Sequence, residues 1–169
     1  MSNVDLETYF ENLQAQTFAR STRTTILAMP PERRLTGRQI LILLDAHTIG
    51  ALATVRANGL PHVTVCYFML DDSGNFWLPT LPATLRRKNL EANPHASLVV
   101  VESEGPEHAM VKVEGQAEML EGAPKEVLAQ YESRLSTGTD WVECFIRVQP
   151  VRLYSYAAVC SRFNPEMQD

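Results

Sequence analysis

TIGALATVRANGLPHVTVCYFML, residues 48–70, holds two apolar runs on either side of Asn58-Gly59. An Asn-Gly pair suits a tight hairpin, because both central residues tolerate positive φ. Before the pair, Ala51, Ala53 and Val55 alternate with Leu52, Thr54 and Arg56. After it, Val63, Val65, Tyr67 and Met69 alternate with Thr64, Cys66, Phe68 and Leu70. A period of two marks strands. Both faces are largely apolar, the pattern of strands in a small closed barrel that is also covered outside.

Downstream, DDSGN (residues 71–75) is a turn and FWLPT a third strand. PATLRRKNLEAN is a short helix stopped by Pro94, and ASLVVVES a buried fourth strand. Gly105 and Pro106 turn the chain into a fifth strand. There Val111, Val113, Ala117 and Met119 face inward, while Lys112, Glu114, Gln116 and Glu118 face outward. Gly115 keeps the inward register without a side chain, which predicts a bulge or a close approach. Residues 123–135 form a helix with Pro124 near its first position. WVECFIRV and VRLYSYA make a long last strand that Pro150 interrupts.

Upstream, residues 3–19 carry Leu6, Tyr9, Phe10, Leu13 and Phe18 at helical spacing, with Ser2 as N-cap. RSTRTT is polar, and Met29-Pro30-Pro31 excludes a helix there. Thr36 and Gln39 fit a capping box for a second helix that ends near His47. The expected fold is mainly β: a six-stranded antiparallel split barrel with short helices (residues 36–160). A helical arm (1–35), packed on the body or on a second subunit, and a short tail (161–169) flank it.

The chain has 169 residues and a formal net charge of -5, one domain's worth of core without the basic surface that nucleic acid requires. No apolar run reaches the roughly 20 residues of a membrane helix, and MSNVDLETYF lacks a basic-then-apolar signal pattern. A cytoplasmic protein is expected. Cys66, Cys144 and Cys160 have no metal-ligand spacing and read as free thiols, buried for the first two.

Arg86, Arg87 and Lys88 are three consecutive cations in an acidic chain. At about 100° per residue, Arg87 and Lys88 fall with Glu91 on a polar face. Arg86 falls toward Leu85, Leu90 and Ala92. A guanidinium on an inward face needs a carboxylate, a carbonyl or a bound anion. Thr80, Thr84 and the free N–H groups of the first helical turn would complete a phosphate cradle.

LLDAHTIGALATVRANGLPHVTVCYFMLDDSGNFWLPT, TLRRKNLEANPHASLVVV and VKVEGQAEML, in that order, resemble the pyridoxamine 5′-phosphate oxidase-like family of FMN-binding split barrels. The resemblance implies that Thr84 and Arg86 bind the FMN phosphate, with Lys88 at a second basic position. Thr80 then approaches the flavin, and Val63, Thr64 and Val65 run along its isoalloxazine ring. It also implies a homodimer with the cofactor at the interface. The resemblance departs from the true oxidase at Thr64, Met69 and Leu85, where that enzyme has cations, and in a tail without Trp. The expected activity is therefore flavin-dependent oxidation–reduction of a small molecule other than a B6 phosphate. The alternative is a non-catalytic dimer that binds or senses flavin, deazaflavin or haem.

His47, His62, His95 and His108 read as structural or exposed, and ESEGPE (102–107) as a turn rather than a calcium loop. Trp77 and Trp141 read as core or interface packing, with stacking on flavin as the alternative. The chain has no nucleophile elbow, dinucleotide fingerprint or P-loop.

Overall fold

The computed structural model describes the backbone of residues 3–104, 107–136 and 138–165. Ser2, the Gly105-Pro106 turn within ESEGPE, and residues 166–169 of the tail lie outside the described residues.

The hairpin at residues 48–70 forms, with β1 at Ile49–Val55 and β2 at Pro61–Tyr67 paired antiparallel. Its turn differs from the one the Asn-Gly pair predicts. Within this turn only Gly59 takes positive φ, at 82°, and among the described residues only glycines do. Gly59 N–H donates to Arg56 C=O at 2.8 Å and Arg56 N–H to Leu60 C=O at 2.9 Å. That is a three-residue loop with glycine in the left-handed position, which costs Asn58 no strain.

The run after the turn is not one strand. It ends its pairing with β1 at Tyr67, and a two-residue strand β3 (Met69–Leu70) pairs instead with β4 (Phe76–Thr80). The sheet order is β2-β1-β5-β6-β7-β4-β3, with every pairing antiparallel. Here β5 is His95–Glu104, β6 Glu107–Leu120 and β7 Cys144–Ala157. Because β2 and β3 lie at opposite edges yet adjoin at Phe68, the chain itself curls the sheet toward closure. This yields seven strands where six were expected. The β2 and β4 edges approach each other without a ladder among the described residues, leaving the barrel split.

The predicted bulge is present. The β6–β7 register slips between Glu114 and Gly115, opposite Pro150. A Cβ on Gly115 would stand 2.1 Å from the Gln149 carbonyl oxygen, so only glycine fits. Pro150, lacking an N–H, sits at the irregularity where no ladder donor is needed.

Among the described residues, five α-helices accompany the sheet: α1 (Asn3–Ala19), α2 (Arg23–Ala28), α3 (Gly37–Ala46), α4 (Leu85–Ala92) and α5 (Lys125–Arg134). α2 falls on the stretch read as merely polar; the Thr22 side chain caps it by accepting from Thr25 N–H. Pro31 opens a 3-10 turn, where its missing N–H is harmless. The Thr36–Gln39 capping box of α3 is formed in both directions. α1 packs on β7 and α3 of its own chain. Leu6, Phe10 and Phe18 are buried there, and the buried Gln14 and Thr17 bind β7 and its neighbour. Gln14 donates to Leu35 C=O at 2.9 Å, and Leu153 N–H donates to Thr17 Oγ1 at 3.0 Å. Buried polar groups thus fasten the arm while leaving none of these donors unpaired.

The main core lies inside the curl, around Phe10, Leu43, Leu52, Phe76, Leu98 and Val111. A second cluster under α5 gathers Met69, Trp77, Val127, Tyr131 and Phe145. The outer face of β1 and β2 was expected to be covered. In one chain it is not: Ile49, Val63, Val65 and, on β5, Val101 are exposed. Among the described residues, no helix is long and apolar enough to cross a membrane.

Candidate functional site

Thr80 ends β4, and α4 starts five residues later, with Thr84 as its N-cap residue. The buried face of α4 is Asn89 and Leu90. Arg86 lies one turn before both, so the wheel places it correctly. Leu85 and Ala92 do not share that face: both are exposed. Helix α4 covers the barrel end and buries only a narrow stripe, narrower than the wheel suggests.

Arg86 Nε donates to Thr80 Oγ1 at 2.8 Å, and Nη2 donates to the Pro79 carbonyl at 3.0 Å. Thr84 Oγ1 donates to Leu81 C=O at 3.1 Å and lies 3.1 Å from Thr80 Oγ1. With the Thr84 proton committed to Leu81, Thr80 must donate to Thr84. The result is a directed chain from Arg86 through Thr80 and Thr84 to Leu81. It fixes the guanidinium plane, and among the described residues no carboxylate pairs with it and nothing accepts from Nη1. The Thr84 side chain makes no cap hydrogen bond, so the first turn of α4 keeps its N–H groups available.

Arg86 forms one wall of a cavity of about 320 Å³, with Ile49, Val65, Cys66, Tyr67, Pro79 and Trp141 as the others. The cavity sits at the split, where β2 gives way to β3 and the end of β4 faces it. Val65 is 71% exposed and Val63 61%, both on the outer face of β2. Thr64 points the other way. Its Oγ1 is buried and has no hydrogen-bond partner among the described residues. Lys88 is exposed on the outer side of α4 and does not line this cavity. Arg87 is held by Glu91 at 2.9 Å.

Of the residues expected at the site, the structure therefore places Arg86 and Val65 in the cavity wall, with Thr80 and Thr84 behind Arg86 in its hydrogen-bond chain and Thr64 behind the strand, and it sets Val63 and Lys88 outside the walls. Ile49, Tyr67 and Pro79 are wall residues that sequence reasoning missed. Alternation along β2 already puts Tyr67 on the face of Val65. The Pro79 carbonyl could not be foreseen from side-chain chemistry. Trp77 is a core residue, its Nε1 donating to Asp71 at 2.8 Å. Trp141, in contrast, stands at the cavity mouth.

Burial pushes the Cys66 thiol up to about 11, against the opposing pull of Arg86. Burial also raises Cys144 and Cys160. None of the three is a ready nucleophile. His62 is half-buried and within 3.3 Å of Thr54 Oγ1, which also accepts from Asn89. Among the described residues no group of His, Cys, Asp or Glu could hold a metal ion.

Similarity to known proteins agrees with this architecture. No curated protein matches the chain in sequence. A conserved hypothetical protein, Rv2991 from Mycobacterium tuberculosis, shares the fold at TM-score 0.65 and 21% identity, over 76% of this chain and 89% of that one. A FAD-binding protein from Mesorhizobium loti matches at TM-score 0.59 and 26% identity, over 74% and 95%. HutZ, the haem storage protein from Vibrio cholerae, matches at TM-score 0.58 and 22% identity, over 70% and 92%. The family profile described as pyridoxamine 5′-phosphate oxidase matches residues 37–154, from the first residue of α3 through most of β7. With a split antiparallel barrel and a family match over most of its length, the chain belongs to the pyridoxamine 5′-phosphate oxidase family.

Proposed function

We propose that this protein binds FMN at the Arg86 cavity and is a flavin-dependent oxidoreductase acting on a small molecule other than a B6 phosphate. The observation that carries the reading is Arg86 itself: a half-buried guanidinium, held by Thr80 and Pro79, with no carboxylate partner among the described residues. Burying a cation in this way is costly unless an anion compensates it. The uncapped first turn of α4 fits the same kind of occupant.

When bound, the flavin supplies the hydride and electron transfer. The residues of the chain then bind and orient it. Arg86 and the N–H groups of the first α4 turn would take the phosphate, joined by Thr84 once its hydroxyl turns from Leu81; Lys88 would add positive potential from outside, and the β2 backbone at Val63–Val65 would lie along the ring. The exposed apolar face of Ile49, Val63, Val65 and Val101 supports a homodimer with the cofactor near the interface. The missing cations at Thr64, Met69 and Leu85 support a substrate different from that of the true oxidase.

One observation favours a second reading, binding without turnover of flavin, deazaflavin or haem. Beyond Arg86, the cavity-wall side chains with polar atoms are Cys66, held as a neutral thiol, Tyr67, and Trp141, whose N–H is bound to Gly138. The likeness to HutZ fits it as well. Anaerobic mixing of the flavin-loaded protein with a nicotinamide cofactor separates the two. Bleaching of the flavin absorption supports the oxidoreductase; an unchanged spectrum with every donor tried supports the binding protein.

A further inference from the structure

We infer that Trp141 is a ring-positioning residue of the Arg86 cavity, one that selects a planar aromatic group attached to an anion. The inference rests on the flavin reading above and adds to it a wall that no barrel strand provides. Trp141 belongs to the connection between α5 and β7, yet it lines the same cavity as Val65, Tyr67 and Arg86. The residue is 36% exposed. Its orientation is fixed, because Nε1 donates to the Gly138 carbonyl at 3.2 Å.

The Tyr67 and Trp141 rings lie 6.5 Å apart and are inclined at 46°. A tilted pair leaves ring faces uncovered, and both residues line the cavity. Charge and shape thus divide the walls. Arg86 offers a planar cation, Tyr67 and Trp141 offer π surface, and Ile49 and Val65 offer aliphatic surface. A volume of about 320 Å³ is at the small end for a ligand site and suits a flat ring better than a bulky group. Trp77, the other tryptophan, is buried in the core and does not line the cavity.

The test uses the full chain, FMN and riboflavin, with affinity read from flavin fluorescence. Replacing Trp141 with Ala should weaken both ligands about tenfold, as expected for loss of an aromatic contact. Trp141→Phe should keep affinity within about threefold, whereas Trp141→Leu, of comparable bulk, should behave like the alanine variant. Arg86→Ala should weaken FMN but not riboflavin. Flavin binding should also quench tryptophan emission in the wild type and do so less in Trp141→Phe. Equal affinities in the wild type, Ala and Leu variants would overturn the role of Trp141 and leave the flavin reading standing. So would a Phe variant as weak as the Leu variant, since π surface would then be irrelevant. A wild-type protein that binds neither ligand overturns the flavin reading and the role together.

Discussion

The Arg86 guanidinium donates from Nε to the Thr80 hydroxyl at 2.8 Å, and Thr80 in turn donates to Thr84. One buried threonine at a strand end therefore sets the orientation of the only cation lining this cavity among the described residues. A guanidinium held in one plane loses less freedom on binding an anion than a free one does.

Arg86→Ala should weaken FMN binding by on the order of 10- to 100-fold, the worth of charge-assisted hydrogen bonds. Arg87→Ala should change it by less than about twofold, because its half-exposed pair with Glu91 contributes little. Fluorescence titration of the two variants side by side checks this. Equal losses would contradict the inward placement of Arg86.

Gly115→Ala should destabilise the fold by about 2–4 kcal/mol, since its Cβ would meet the Gln149 backbone at 2.1 Å. Gly122→Ala meets nothing within 4 Å and should be close to neutral. Urea unfolding midpoints of the pair measure the difference.

The bulge illustrates what was legible in the sequence. A glycine in an inward register of a clean alternation can mean little else, and Pro150 falls opposite it. The Thr36–Gln39 capping box was equally readable, because its chemistry is local. Strand number was not. Phe68 looks like any other residue of an apolar run, and the change of partner across it, from β1 at Tyr67 to β4 at Met69, depends on where the far edge of the sheet arrives. The cavity was half legible. Arg86 follows from helix phase, and Thr80 and Thr84 lie behind it rather than in the wall. Pro79 and Trp141 reach it through tertiary packing that no spacing encodes. Leu85 was misplaced because the wheel gives phase but not the width of the surface α4 covers.

Cys66 should make stability fall at alkaline pH. Burial raises its folded-state value from about 9 to about 11, so the neutral thiol stabilises the fold below pH 9. The unfolded chain ionises first as pH rises, and the contribution is lost between about pH 9 and 11. The shift corresponds to roughly 2–3 kcal/mol. Cys66→Ala should flatten this part of the stability–pH curve relative to the wild type. Parallel curves for the two proteins would show that the thiol does not titrate as stated.

Val101 is exposed on the outer face of β5, across β1 from the exposed valines of β2. If two copies meet on this face, Val101→Asp should convert a dimer into a monomer in sedimentation velocity, because it places a charge in an apolar contact. An unchanged sedimentation coefficient would place the interface elsewhere.

The most direct test of the central claim is titration of the purified wild-type chain with FMN, followed by flavin fluorescence. Saturable binding of one FMN per chain in the micromolar range or tighter, lost with Arg86→Ala, is the expected result. No saturable binding, or binding that Arg86→Ala leaves unchanged, would contradict it.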